Sequence, residues 1–332
     1  MKFRILIVGL FCAALSLNAN PQKEQGLKVI NKKSAEAHIG FLASDELEGR
    51  EAGFRGGRIA GQYIATCLKD MGIEPLFDCY YQPFEAYNRE RSKRSRFSVH
   101  PDSIINIKQG VHQNLSMCNV LGMIEGKRKN EYVIIGAHYD HLGIDPMLAG
   151  DQIYNGADDN ASGVSAVLQI AKAFLASGVQ PERNVIFAFW DGEEKGVLGS
   201  TFFTQAFFDI SKVKGYLNFD MIGRNSNEAN PTHVVYFYTE ANPVFGEWLK
   251  DDIKTYALNL TPNYRPWDKP VGGSDNSSFA KLDIPIIWYH TDGHPDYHMP
   301  GDHVEKINLD KVVDITKAAF LNLWNLANKA TF

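Results

Sequence analysis

Five segments of this chain turn on side chains that bind metals or move protons. His138-Tyr139-Asp140-His141 follows the apolar run 132–137, and Asp191-Gly192-Glu193-Glu194 follows the run 185–190. Asn218-Phe219-Asp220 closes the run 215–220, and Gly156-Ala157-Asp158-Asp159-Asn160-Ala161-Ser162-Gly163 stands before a helical stretch. His290, His294, Tyr297 and His298 come after the run 284–289. A lone Asp or His at such a place reads as a cap or turn residue. Five coincident endings do not. A serine hydrolase would need a Gly-x-Ser-x-Gly elbow, and Ser162 and Ser274 do not fit one. Two carboxylates across a sugar groove would account for the acids but not for the histidines. Imidazole and carboxylate together suit a zinc site, which explains both residue types.

The elements that must position these groups alternate. Short runs rich in β-branched and aromatic residues occupy 132–137, 185–190, 215–220, 234–238 and 284–289. Between the first two, Val164, Val167, Leu168, Ala171 and Phe174 form one helical stripe over 162–176. An earlier stripe runs through Ile59, Tyr63, Ile64, Cys67, Leu68 and Met71 and stops at Gly72, and 310–330 reads as a closing helix. Continuous apolar strands alternating with helices predict an α/β fold, a central mostly parallel sheet covered on both faces. Ligand sites in such sheets lie beyond the carboxyl ends of the strands, where the five segments fall.

Composition bounds the rest. The 332 residues are 44% hydrophobic and 22% charged, with a formal net charge of −5. That is the profile of a globular protein, and it offers no electrostatic case for nucleic acid or anionic lipid. Residues 1–19 have Lys2 and Arg4 ahead of an apolar run and small residues near Ala19, the pattern of a secretory signal peptide, so the mature chain is expected to be exported, to periplasm or medium. No other segment is long and apolar enough to span a membrane. A polar lead is expected over 20–35, then one domain over 36–332 with a short irregular insertion at about 89–117 that opens on the basic run 89–96. Cys67, Cys79 and Cys118 permit one disulfide without choosing it. Oligomeric state is not legible.

In order and approximate spacing, the five motifs, the last running Tyr297-His298-Met299-Pro300-Gly301-Asp302, resemble those of the M28 family of zinc-dependent exopeptidases. The resemblance implies the single-domain zinc-exopeptidase fold and two Zn²⁺ per chain, one on His138 and Asp220, the other on Glu194 and His298, with Asp159 bridging. It implies a peptide substrate losing N-terminal residues to a zinc-activated hydroxide, with Glu193 as general base. Tyr297 is the candidate for stabilising the oxyanion. Asp140, two residues after His138, is placed to orient that imidazole. His141, His290, His294 and His303 fall outside the implied ligand set and read as surface or hydrogen-bonding histidines. Gly273-Ser274-Asp275-Asn276 stands where many relatives carry Ser-Asp-His, near the substrate pocket. Glutaminyl cyclases, which share the fold and use one zinc, are the rival enzyme class; a carboxypeptidase or dipeptidase is the rival within peptidases. A non-catalytic binding module is the third reading, opposed by the intact motif residues.

Overall fold

The computed structural model describes residues 20–89, 96–267 and 272–331. The expected signal peptide and most of the basic run lie outside the described residues. In chain order the elements are α1 (Pro21–Val29), α2 (Lys32–Leu42), a 3-10 segment (Asp45–Arg50), α3 (Arg55–Met71), β1 (Glu74–Pro75), β2 (Tyr81–Asn88), α4 (Pro101–Ile107), β3 (Gln113–Ile124), β4 (Arg128–His138), β5 (Gly143–Ile144) and β6 (Ile153–Tyr154). There follow α5 (Gly163–Ala176), β7 (Arg183–Trp190), α6 (Leu198–Ala206), β8 (Val213–Phe219), β9 (His233–Tyr238), α7 (Val244–Thr255), β10 (Thr261–Pro266), α8 (Asn276–Ala280), β11 (Ile286–His290) and α9 (Leu309–Asn328).

Among the described residues, nine strands form one sheet in the order β1-β3-β7-β4-β8-β11-β9-β10, with β2 also paired to β3. Its centre, β7-β4-β8-β11, is parallel throughout. The flanks are mixed: β3 runs antiparallel to β7, β9 antiparallel to β11, and β10 parallel to β9. The central strands carry continuous apolar runs, 132–137 in β4 and 185–190 in β7, because both faces are covered there. Val133, Ile135, Val185, Phe187 and Leu217 face a core completed by α2, α3, α5, α7 and α9. Their neighbours Ile134, Ile186, Trp190 and Tyr216 face a second core with Phe203 and Phe207 at α6 and Phe279 of α8. Each such side chain, fully buried, contributes about 1.5–3 kcal/mol.

Two expectations about chain organisation need correction. Residues 20–35 are not a loose lead: α1 is capped by Asn20, whose Oδ1 accepts from the amides of Gln22 (2.9 Å) and Lys23 (3.3 Å). Lys23 Nζ donates to Asn325 Oδ1 at 2.9 Å, and Gly26 lies so close to Phe320 and the Ala173 carbonyl that a Cβ would collide with both. Leu27 and Ile30 pack on the core beside this glycine and buried lysine, and the helix is too polar overall for hydropathy to mark it. Nor is 89–117 irregular where described. It holds α4 and the start of β3, and β3 pairs with β2 from Tyr81↔Val120 to Asn88↔Gln113. In β2 the period is two, with Phe84 and Ala86 buried between exposed neighbours. Among the described residues Cys67, Cys79 and Cys118 are all free thiols.

Candidate metal centre

Because β4, β7, β8 and β11 are parallel, their carboxyl ends share one edge of the sheet. His138 is the last residue of β4, Glu193 and Glu194 come just past β7, and Asp220 directly follows β8. Asp159 lies on the irregular turn that leads into α5, and His298 on the segment after β11. The turn carrying Asp159 is held from several sides. Asp302 Oδ2 accepts from the amides of Asp158 (2.9 Å) and Asp159 (3.0 Å). Asn160 Nδ2 donates to the carbonyl of Phe219 at 2.9 Å, tying the turn to the strand that ends in Asp220. Gly156, at φ 57°, has no room for a side chain: a Cβ would stand 2.1 Å from the Asp159 carbonyl oxygen and 2.5 Å from the His141 ring.

Two donor groups share Asp159, one through each carboxylate oxygen. Oδ1 is 3.3 Å from His138 Nε2, which is in turn 3.6 Å from Asp220 Oδ1. Oδ2 is 3.3 Å from His298 Nε2, which is 3.2 Å from Glu194 Oε2. Atoms about 2.0–2.1 Å from a tetrahedral zinc lie roughly 3.3–3.4 Å from one another, so these separations fit metal ligands. The structure thus brings together all five residues expected to hold metal. His141 enters the second group too, buried, with Nδ1 2.8 Å from Glu194 Oε1 and 3.9 Å from Asp159 Oδ2. His141, Asp159 and Glu194 therefore also present donor atoms close enough to hold a metal ion, beyond the hydrogen-bonding role expected of His141.

Charge points the same way. Burial opposes protonation of His298, yet its hydrogen bonds to Asp159 and Glu194 and their charges raise its pKa to about 10. At His138 burial is likewise outweighed, by the neighbouring carboxylates of Asp220, Asp140 and Asp159, and the pKa is well above the usual imidazole value. Carboxylates that hold imidazoles protonated create a site that demands positive charge, which a divalent ion supplies.

Asp140 does something other than expected. His138 Nδ1 bonds the backbone carbonyl of Asp140 at 3.1 Å, while the nearer carboxylate oxygen is 3.7 Å away. The carboxylate instead accepts from the amides of Glu193 (3.0 Å) and Glu194 (3.3 Å), fixing the turn that bears both glutamates. Glu193 faces a cleft of about 260 Å³ walled by Met221, Trp288, His290 and Tyr297. Its pKa is raised well above the ordinary carboxylate range, chiefly by burial; the positive His138 opposes this, and Asp275, Asp220 and Glu194 add to it. Tyr297 stacks on His298 with ring centres 3.9 Å apart and is 48% exposed. His290 Nδ1 lies 2.7 Å from the Asp220 carbonyl, steadying the strand end rather than facing the donor atoms.

Missed from the sequence were the residues that hold the donors without being donors: Asn160 and Asp302 above all. Each sits inside a quoted motif, but nothing in its type or spacing announces a hydrogen bond to a particular amide or carbonyl.

A parallel sheet edge carrying three acids and two imidazoles at metal-ligand spacing is the construction of a metal-centre α/β protein. The chain belongs to peptidase family M28, whose family model matches residues 119–322. It is 38% identical over 233 residues to leucine aminopeptidase 2 of Trichophyton rubrum, a match covering 62% of this chain and 44% of that protein. The chain therefore spans less than half the length of that curated relative. Among solved structures it is similar to BSAP, a zinc aminopeptidase from Bacillus subtilis (14% identity, TM-score 0.70, 91% of this chain and 97% of that one). It is also similar to the Porphyromonas gingivalis glutaminyl cyclase (16% identity, TM-score 0.64, 89% and 98%). At those identities both likenesses concern the fold alone.

Proposed function

We propose that this protein is a metallo-aminopeptidase that removes N-terminal residues from peptides at a centre for two zinc ions. The observation that carries the reading is the division of Asp159, one oxygen with His138 and Asp220, the other with His298 and Glu194. One ion would be held by His138, Asp159 and Asp220, the other by Asp159, Glu194 and His298, with His141 hydrogen-bonded to Glu194. Bound there, zinc supplies Lewis acidity and lowers the pKa of water towards neutrality.

The protein's own groups do the rest. Glu193, at the cleft and outside both donor groups, takes the proton of the attacking water and returns it to the leaving amine. A raised pKa suits it to hold that proton between the two steps. The Tyr297 hydroxyl donates to the oxyanion that develops on the scissile carbonyl. Asp140 keeps the two glutamates pointed to different tasks by gripping both of their amides. Paired glutamates and a shared carboxylate favour the hydrolase over the one-zinc cyclase. The signal-like residues 1–19 support work outside the cytoplasm, which N-terminal sequencing of the mature protein tests.

Digestion of a peptide library, read by mass spectrometry, tests the reading. Free amino acids released stepwise from the N-terminus are expected. Release from the C-terminus, or pyroglutamate as the sole product from Gln-initiated peptides, would overturn it.

A further inference from the structure

Well before residue 119, where the match to the family model begins, Arg50 ends the 3-10 segment and is 1% exposed. Its guanidinium forms no close ion pair among the described residues. All five of its N–H donors go instead to backbone carbonyls. Nε donates to Tyr139 at 2.9 Å, Nη1 to Leu42 at 2.5 Å and Asn155 at 2.6 Å, and Nη2 to Gly156 at 3.0 Å and Asp159 at 3.4 Å. The Arg50 carbonyl in return accepts from the His141 amide at 3.1 Å.

These partners are not scattered. Tyr139 and His141 belong to the turn that starts at His138, while Asn155, Gly156 and Asp159 belong to the turn that carries the shared carboxylate. One planar group therefore spans the two backbone segments whose separation sets the distance from His138 to Asp159. It also leaves a positive charge within reach of Asp159, Asp140, Asp302 and Glu194, none of which it neutralises by direct contact.

We infer that Arg50 is a positioning residue for the metal centre: it fixes the spacing of the His138 and Asp159 turns through a fork of backbone hydrogen bonds. This rests on the metal reading above and extends it to an N-terminal segment that the family match leaves out. Lysine cannot replace the fork, because its three donors radiate from one atom and cannot reach carbonyls on three segments. A zinc ligand set whose supporting contacts are lost typically binds about 10–100-fold more weakly.

The test compares Arg50→Lys with Arg183→Lys in the full chain. Arg183 is 3% exposed and grips the carbonyls of Leu326 (2.8 Å) and Lys329 (2.7 Å) together with Glu131, at the far end of β7. It is a buried fork of the same kind away from the centre, so its variant reports what losing such a fork does to stability alone. Zinc affinity is measured by competition with a chromophoric chelator, and the visible absorption of the Co²⁺-loaded proteins reports the ligand geometry. Both variants are expected to melt below the parent. Only Arg50→Lys is expected to lose zinc affinity, by about 10–100-fold, with an altered Co²⁺ spectrum. Zinc affinity within threefold of the parent, an equal loss in Arg183→Lys, or an Arg50→Lys protein with no folded circular-dichroism spectrum would each overturn the inference. Parent protein that takes up no zinc would remove the metal reading itself, which is a separate failure.

Discussion

Replacing Asp140 by Asn changes one atom and little volume, and the structure says what that does. Asp140 is fully buried, and its two oxygens accept the amides of Glu193 at 3.0 Å and Glu194 at 3.3 Å. In the amide, one oxygen becomes a donor facing a donor. One bond to a charged acceptor is lost, about 1.5–3 kcal/mol, and the other falls to the strength of a neutral bond, about 1 kcal/mol less. Against this, Asp191 gains. Burial first, and then the charge of Asp140, push its pKa up to about 8, so neutralising residue 140 relieves a repulsion. Stability should consequently fall by only about 1–3 kcal/mol, whereas the turn bearing the base loses its anchor. Turnover should fall about 10–100-fold, the usual effect of losing a contact that orients a site group. His138 should keep its orientation, because its Nδ1 is held by the backbone carbonyl of residue 140, which the substitution leaves in place. Release of p-nitroaniline from an aminoacyl anilide measures the turnover, and a thermal melt measures the stability. Turnover within threefold of the parent would refute the reasoning.

Glu193→Gln should retain zinc and lose about 10²–10⁴ in turnover, since the residue stands outside both donor groups; metal analysis beside steady-state kinetics checks both halves. Asp159→Ala should lose metal as well as activity, because each donor group loses the oxygen they share; equilibrium dialysis would show it. Gly156→Ala should cost upwards of roughly 2 kcal/mol, read as a lowered melting temperature, because a Cβ at positive φ would meet the Asp159 carbonyl oxygen. Zinc affinity should rise with pH from about 6 to 9. With its pKa raised to about 10, His298 is protonated in the metal-free protein across that range, and zinc must displace the proton; each proton displaced contributes roughly tenfold per pH unit. Affinity independent of pH, measured by chelator competition, would contradict this.

Much of the architecture could be read from the chain because apolar runs alternate with helical stripes. The runs at 132–137 and 185–190 are the central strands β4 and β7, and their C-terminal neighbours are the donor residues. Parallel strands put all such endings on one edge, which is why the five donors could be collected without coordinates. What escaped notice was held by polar or special contacts. Helix α1 seats Gly26 and Lys23 beside Leu27, β2 hides a period of two within a mostly polar stretch, and Asp140 grips amides whose position depends on a turn in another segment. Arg50 is the sharpest instance. An arginine in an acidic, glycine-containing loop looks like any surface charge until the fold closes five carbonyls around it.

The central claim, a peptidase that works through two ions sharing Asp159, is tested most directly by titrating the metal-depleted protein with zinc while following amino-acid release. Activity should be absent at the start and should reach its plateau only as two equivalents per chain are bound. Activity that survives complete metal removal, or that reaches its full value at one equivalent with no second ion taken up, would contradict it.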